Sequence, residues 1–130
     1  MARFPRYVAA ALGIFMFAFG LWSFLGPRSF YTDIAGFGTY NLHLLHDIGA
    51  FQAGFGAALL TALVIPDAIC AVLVGGAVGT VLHAIAHIID RNLGAANTKA
   101  EPIELSIVAV IVVVAALMSL RARRSRSLPS

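Results

Sequence analysis

Charge is the scarcest property of this chain. Only 12% of its 130 residues are Asp, Glu, Lys or Arg, while 60% are hydrophobic. A soluble domain carries about 25% charged residues, roughly twice as many. A soluble core of this size cannot hide so much apolar side chain either. The composition therefore points to an integral membrane protein with no separate soluble domain. Cysteine is nearly absent. The single one, Cys70, excludes an internal disulfide and a multi-cysteine metal site, and in its apolar surroundings it reads as a small hydrophobe.

Several catalytic signatures are missing too. There is no His-Glu-x-x-His hydrolase motif and no paired Glu-x-x-His of the di-iron bundles. No nucleophile stands beside a base, and Cys70 is far from every histidine. Gly75-Gly76 sits inside an apolar run, where it suits close helix packing rather than phosphate binding. Polar residues do not line a full path, which disfavours a channel, and no break near a midplane suggests inverted transporter repeats. The chain reads as non-enzymatic, with no nucleic-acid partner.

What is present is apolar length. A spanning helix needs about 20 largely apolar residues, and four segments qualify: about 7–25, 41–65, 68–89 and 102–120. The first stops at Gly26-Pro27. The second and third are separated by a tight turn at Pro66-Asp67, since proline suits the first turn of a new helix. The expected fold is all-α, a four-span antiparallel bundle forming one membrane domain, with a short basic tail over 121–130. Arg3 and Arg6 precede the first span in the manner of a signal peptide. Its apolar run exceeds a signal core and no small-x-small site follows, so it is expected to be retained.

Charge bias sets an expected orientation. Arg3, Arg6, Arg121, Arg123, Arg124 and Arg126 lie at the two ends, and only Arg28, Arg91 and Lys99 lie in the opposite loops. By the positive-inside rule both termini are cytoplasmic, in a bacterial cell membrane. Trp22, Tyr31 and Tyr40 fall near the outer boundary, where amphipathic rings favour headgroups.

All four histidines lie in two clusters, His43-x-x-His46-Asp47 and His83-x-x-x-His87-x-x-Asp90. Ionisable groups in membrane helices are costly and mark a site or a packing network. Each cluster occupies one helix face. Adjacent antiparallel spans put both at the same membrane side. Small residues continue each stripe: Ala50, Gly54, Ala57 and Thr61 in the second helix, Thr80, Gly79 and Gly76 in the third. The two polar faces are therefore expected to meet across a tight helix pair just beneath the outer surface. Gln52, on the opposite side of its helix from His43, is expected to bond to the first or fourth helix.

Imidazoles at i and i+4 suit zinc, copper or iron. His43, His46, Asp47, His83, His87 and Asp90 are thus candidate metal ligands, with Asp47 and Asp90 as ligands or as groups that orient the imidazoles. Glu101 and Glu104 enter the fourth helix at the same side and are possible additions, though a carboxylate at a helix N-terminus is also favoured by the dipole. Bis-histidine haem ligation needs a cavity that the small-residue stripes do not provide. A His/Asp network that only fixes helix register, and a proton-handling role, explain the same residues.

The length, the glycine-bearing first helix ending in Leu25-Gly26-Pro27, and Gly49-Ala50 with Gly54-Phe55-Gly56 in the second make the layout similar to the small four-helix bacterial membrane proteins near the DoxX-like families. That resemblance implies a four-helix membrane fold and assigns no role to either histidine cluster. Two functions are expected from the whole: a non-catalytic accessory subunit of a transport or respiratory assembly, contacting lipid and other subunits or itself, and a metal-binding protein in metal handling, sensing or redox chemistry.

Overall fold

The computed structural model describes residues 3–36, 38–65, 67–90 and 101–127, and these form five helices and no strand. They are α1 (Arg3–Leu25), α2 (Pro27–Asp33), α3 (Leu42–Thr61), α4 (Ile69–Ile89) and α5 (Glu101–Ser127). The protein is all-α among the described residues. Three helices are long and apolar enough to cross a membrane: α1, α4 and the Pro102–Ser125 stretch of α5. α3 is not among them, because His43, His46, Asp47 and Gln52 dilute its apolar content.

Two boundaries differ from the expected ones. The loop after the first span contains α2, a short helix that starts on Pro27; Gly26 breaks the chain at φ −130°, ψ 53°, and proline's fixed φ then favours a new first turn. The basic tail is no loose end either. α5 continues through Arg121–Ser127, because Arg and Ala are good helix formers and positive charge is favoured at a helix C-terminus.

The long helices pack as two pairs, α1 with α3 and α4 with α5. The α1–α3 contact is made by glycine. Gly20 lies against Gly49, and Gly13 lies against Gly56; a Cβ on Gly49 would come within 2.7 Å of the Phe24 nitrogen and 2.8 Å of the Gly20 carbonyl oxygen. Both glycine pairs are seven residues apart, two turns of helix, so the antiparallel helices touch backbone to backbone twice. Hydrogen bonds close each end. The buried Ser23 hydroxyl donates to the Leu45 carbonyl at 2.8 Å, and Arg6 Nη2 donates to the Leu63 carbonyl, beyond the end of α3, at 2.9 Å.

The two pairs join through one core. It comprises Val8, Ala9 and Leu12 of α1, Leu59 of α3, Ala62 just after it, Ile69 and Leu73 of α4, and Val112, Ala115 and Ala116 of α5. The residues from α1, α3 and α4 lie in the half of their helix nearest the α3–α4 turn, and those from α5 lie about its middle. Contact between the pairs reaches as far as Gly76, which has Leu12, Phe55 and Val112 within 3.4–3.5 Å of where its Cβ would be. One turn further, a Cβ on Gly79 would meet nothing within 4 Å. The opposite half, where the histidines lie, has no shared core among the described residues.

Candidate functional site

The histidine end is built on α3 and α4 and braced by α2. Asn41 caps α3: its Oδ1 accepts from the Leu44 N–H at 3.1 Å. That bond satisfies one of the first-turn donors and fixes the direction in which His43 leaves the helix. Upstream, Tyr31 donates from its hydroxyl to the Gly38 carbonyl at 2.6 Å and packs on Tyr40 at 5.3 Å. Arg28 stands 4.7 Å over the Tyr40 ring. Trp22 donates to the Ser29 hydroxyl at 2.9 Å and meets Phe30 edge-on at 5.4 Å. The aromatic residues expected near one boundary are thus gathered at one end of the molecule, beside the first turns of α3.

On α3, His43 Nε2 and Asp47 Oδ2 are 3.4 Å apart, one turn from each other, an ion pair when the imidazole is protonated. Both are open to the surroundings, with side chains 88% and 53% exposed. His46 turns to the side and lies against Phe24 of α1, rings 5.0 Å apart and tilted by 36°. On α4, His83 and His87 meet edge to face at 4.7 Å. Asp90 ends α4, exposed, its N–H bonded to the Ala86 carbonyl at 2.8 Å. Glu104 is exposed on α5, and the Glu101 side chain lies outside the described residues.

The expected union of the two clusters is not found. Among the described residues no group of three or more His, Cys, Asp or Glu side chains gathers where it could hold one metal ion. The reason is the choice of face on α3. Its buried residues are Leu45, Gly49, Gly56 and Leu59, all on the side that packs on α1. The stripe that begins with His43 and Asp47 and runs through Ala50, Gly54 and Thr61 is exposed, with Ala57 half-buried at its edge. That stripe points away from the rest of the chain, and a Cβ on Gly54 would meet nothing within 4 Å. Of the small residues expected to pack α4 on α3, Gly76 and Thr80 are buried and Gly79 is exposed; the Thr80 hydroxyl donates back to the Gly76 carbonyl at 2.8 Å, and α4 packs chiefly on α5.

Gln52 does not form the expected bond to a neighbouring helix: its Oε1 is buried without a hydrogen-bond donor. Cys70 is a buried free thiol in the first turn of α4, at the core end. The contacts that sequence reasoning missed are Ser23 with Leu45 and the Gly13/Gly20 face of α1. The matched seven-residue spacing of Gly13/Gly20 and Gly49/Gly56 was the available signal. Among the described residues the site thus provides two separate pairs of possible ligand groups, His43/Asp47 and His83/His87.

Comparison with protein-family models, with curated proteins and with solved structures finds no match to this chain.

Proposed function

We propose that this chain is a four-span protein of the bacterial cell membrane, with both termini cytoplasmic, that acts as a non-catalytic accessory subunit of a larger transport or respiratory assembly. α3 serves as the fourth span. Its 20 residues extend about 30 Å, the thickness of the hydrocarbon layer, and it lies antiparallel to the apolar α1. The cytoplasmic assignment of the termini rests on the six terminal arginines.

The observation that carries the assembly reading is the outward face of α3. The other three spans expose large apolar side chains: Ile14, Phe15 and Leu21 on α1; Val78, Leu82 and Ile85 on α4; Val110, Val114 and Leu117 on α5. Such surfaces suit lipid tails. α3 exposes Leu44 and Phe51 as well, but beside them it presents His43 and Asp47 followed by Ala50 and Gly54, a stripe that gains little from lipid and much from another helix; on α4, His83 and Gly79 are exposed in the same way. The test is extraction in mild detergent followed by mass determination. The expected result is a complex well above the 13.7 kDa of one chain, dissociated by Gly54→Leu. A lone chain in both native membranes and detergent would overturn the reading.

A second reading is metal handling with zinc, copper or iron, supported by the i, i+4 placement of His43/Asp47 and His83/His87. Each pair supplies two donors, whereas a closed transition-metal site takes about four. Elemental analysis of purified wild type beside His87→Ala decides it. If this reading holds, one metal per chain disappears in the variant; equal, substoichiometric metal in both removes it.

A further inference from the structure

We infer that the arginine-bearing end of the molecule, formed by the first turn of α1 and the last turns of α5, binds the headgroup of an anionic phospholipid. The inference takes from the proposed function only that α1 and α5 cross a membrane, and it does not need the assembly.

The first argument is position. Leu12 of α1 and Val112 of α5 stand at one level, where both approach the Cβ position of Gly76. Val8 and Ala9 share the core with Ala115 and Ala116, so the two helices run antiparallel from that level toward the same end. Arg3 comes nine residues before Leu12 and Arg121 nine after Val112, which puts both about 14 Å beyond it. Arg123 follows Ser119 by four residues and Ala116 by seven, and both of those are buried. It therefore continues the inward stripe of α5, on the side of the shared core. Phe4 and Tyr7, 40% and 68% exposed, stand next to Arg3 and Arg6 in sequence. Exposed rings at the end of a span favour the headgroup level.

The second argument is charge. Among the described residues this end carries Arg3, Arg6, Arg121, Arg123 and Arg124 against one carboxylate, Asp67 in the turn between α3 and α4. Four positive charges are left over. Arg6 is committed to the fold, with its Nη2 donating to the Leu63 carbonyl at 2.9 Å. Arg3, Arg121 and Arg123 are exposed. Like charges gathered at one end repel, and an anion among them relieves the repulsion. A guanidinium meets phosphate oxygens with two parallel N–H donors. A zwitterionic headgroup would bring its own ammonium into the same field, so the complementary lipid is one of net negative charge.

The third argument is rigidity. α5 stays helical from the apolar span through Ser127. The stretch after Leu120 rises about 10 Å, while the headgroup layer is about 5–7 Å deep on each side. A loose tail would spread its arginines through solvent. A helix holds Arg121 and Arg123 at fixed sides and at the depth of the phosphates.

The test is native mass spectrometry of the full chain from detergent micelles that contain phosphatidylglycerol or phosphatidylcholine. Wild type is expected to retain phosphatidylglycerol about tenfold more than phosphatidylcholine. That preference should fade as ammonium acetate is raised to about 0.5 M. Arg3→Gln with Arg123→Gln should cut retention of phosphatidylglycerol about tenfold. Arg3→Lys with Arg123→Lys, which keeps the charge, should retain most of it, and Arg28→Gln at the opposite end should change nothing. Equal retention of the two lipids by wild type would overturn the inference. So would a glutamine pair, helical by circular dichroism, that holds phosphatidylglycerol undiminished. If the glutamine pair does not fold, the wild-type salt response decides, and a preference that survives high salt overturns the inference. Binding of inorganic phosphate without any lipid preference would assign the arginines to free phosphate instead of lipid. A lone chain that shows the lipid preference would overturn the assembly and leave this inference standing; a large complex without the preference would do the reverse.

Discussion

Two glycines of α3 stand only two residues apart and face opposite ways. Gly56 is buried against the backbone of Phe17 and the carbonyl of Gly13, so a methyl group there has nowhere to go unless the two helices separate. Gly54 looks out of the chain into open space. Gly56→Ala should therefore destabilise the α1–α3 pair by about 1–3 kcal/mol, the range for overpacking a tight interior. Gly54→Ala should leave the single chain unchanged or slightly stabilised, since alanine favours helix over glycine by up to about 1 kcal/mol. Unfolding of both variants by SDS titration in mixed micelles checks the contrast. If both respond alike, the assignment of faces on α3 is wrong.

At the scale of the element, much of the architecture was legible and the choice of partners was not. Apolar run length located α1, α3, α4 and the start of α5 to within a few residues, because the length of an apolar run and the thickness of a bilayer are tied by helical rise. Hydropathy placed the end of α5 at Leu120, where charge begins. Helix propensity does not stop there, and the arginines carry the helix on to Ser127. α2 was hidden inside a loop because seven residues are too short to show periodicity, although Pro27 at its first turn is a recognisable start signal. The α3 cluster divides between two sides, His43 and Asp47 outward and His46 against Phe24 of α1, and the face of α3 that packs on α1 differs from the one expected to pack. α3 has small residues on two sides, Gly49/Ala53/Gly56 and Ala50/Gly54/Ala57. What separates them is information on another helix: both sets contain a seven-residue interval, but only Gly49/Gly56 matches the glycine pair Gly13/Gly20 of α1 in residue type as well.

For the whole molecule, the decisive fact is that the two helix pairs share a core at one end. Leu59, Leu73 and Val112 are almost fully buried there and come from three different helices. Leu59→Ala or Leu73→Ala should each cost about 2–5 kcal/mol, the usual penalty for emptying a packed leucine site. Leu82→Ala, on an exposed face of α4, should stay within about 0.5 kcal/mol of wild type. Comparable losses at positions 73 and 82 would show that α4 is held along its whole length. Near the core-free end, α4 and α5 also border an open apolar groove of about 510 Å³ lined by Ile88, Ile103, Ile107 and Ile111 among others.

Two helix pairs fastened at one end have the geometry of two levers on a common fulcrum. α1 with α3 forms one arm, stiffened by its glycine contacts and by the Ser23–Leu45 hydrogen bond; α4 with α5 forms the other. Beyond the fulcrum each arm runs on for about 20 Å, so a tilt of roughly 5° carries its tip by about 2 Å. His43 and Asp47 ride near the tip of one arm and His83 and His87 near the tip of the other. A small change in the packing around Leu59 and Leu73 would therefore be magnified in the gap between the two histidine groups.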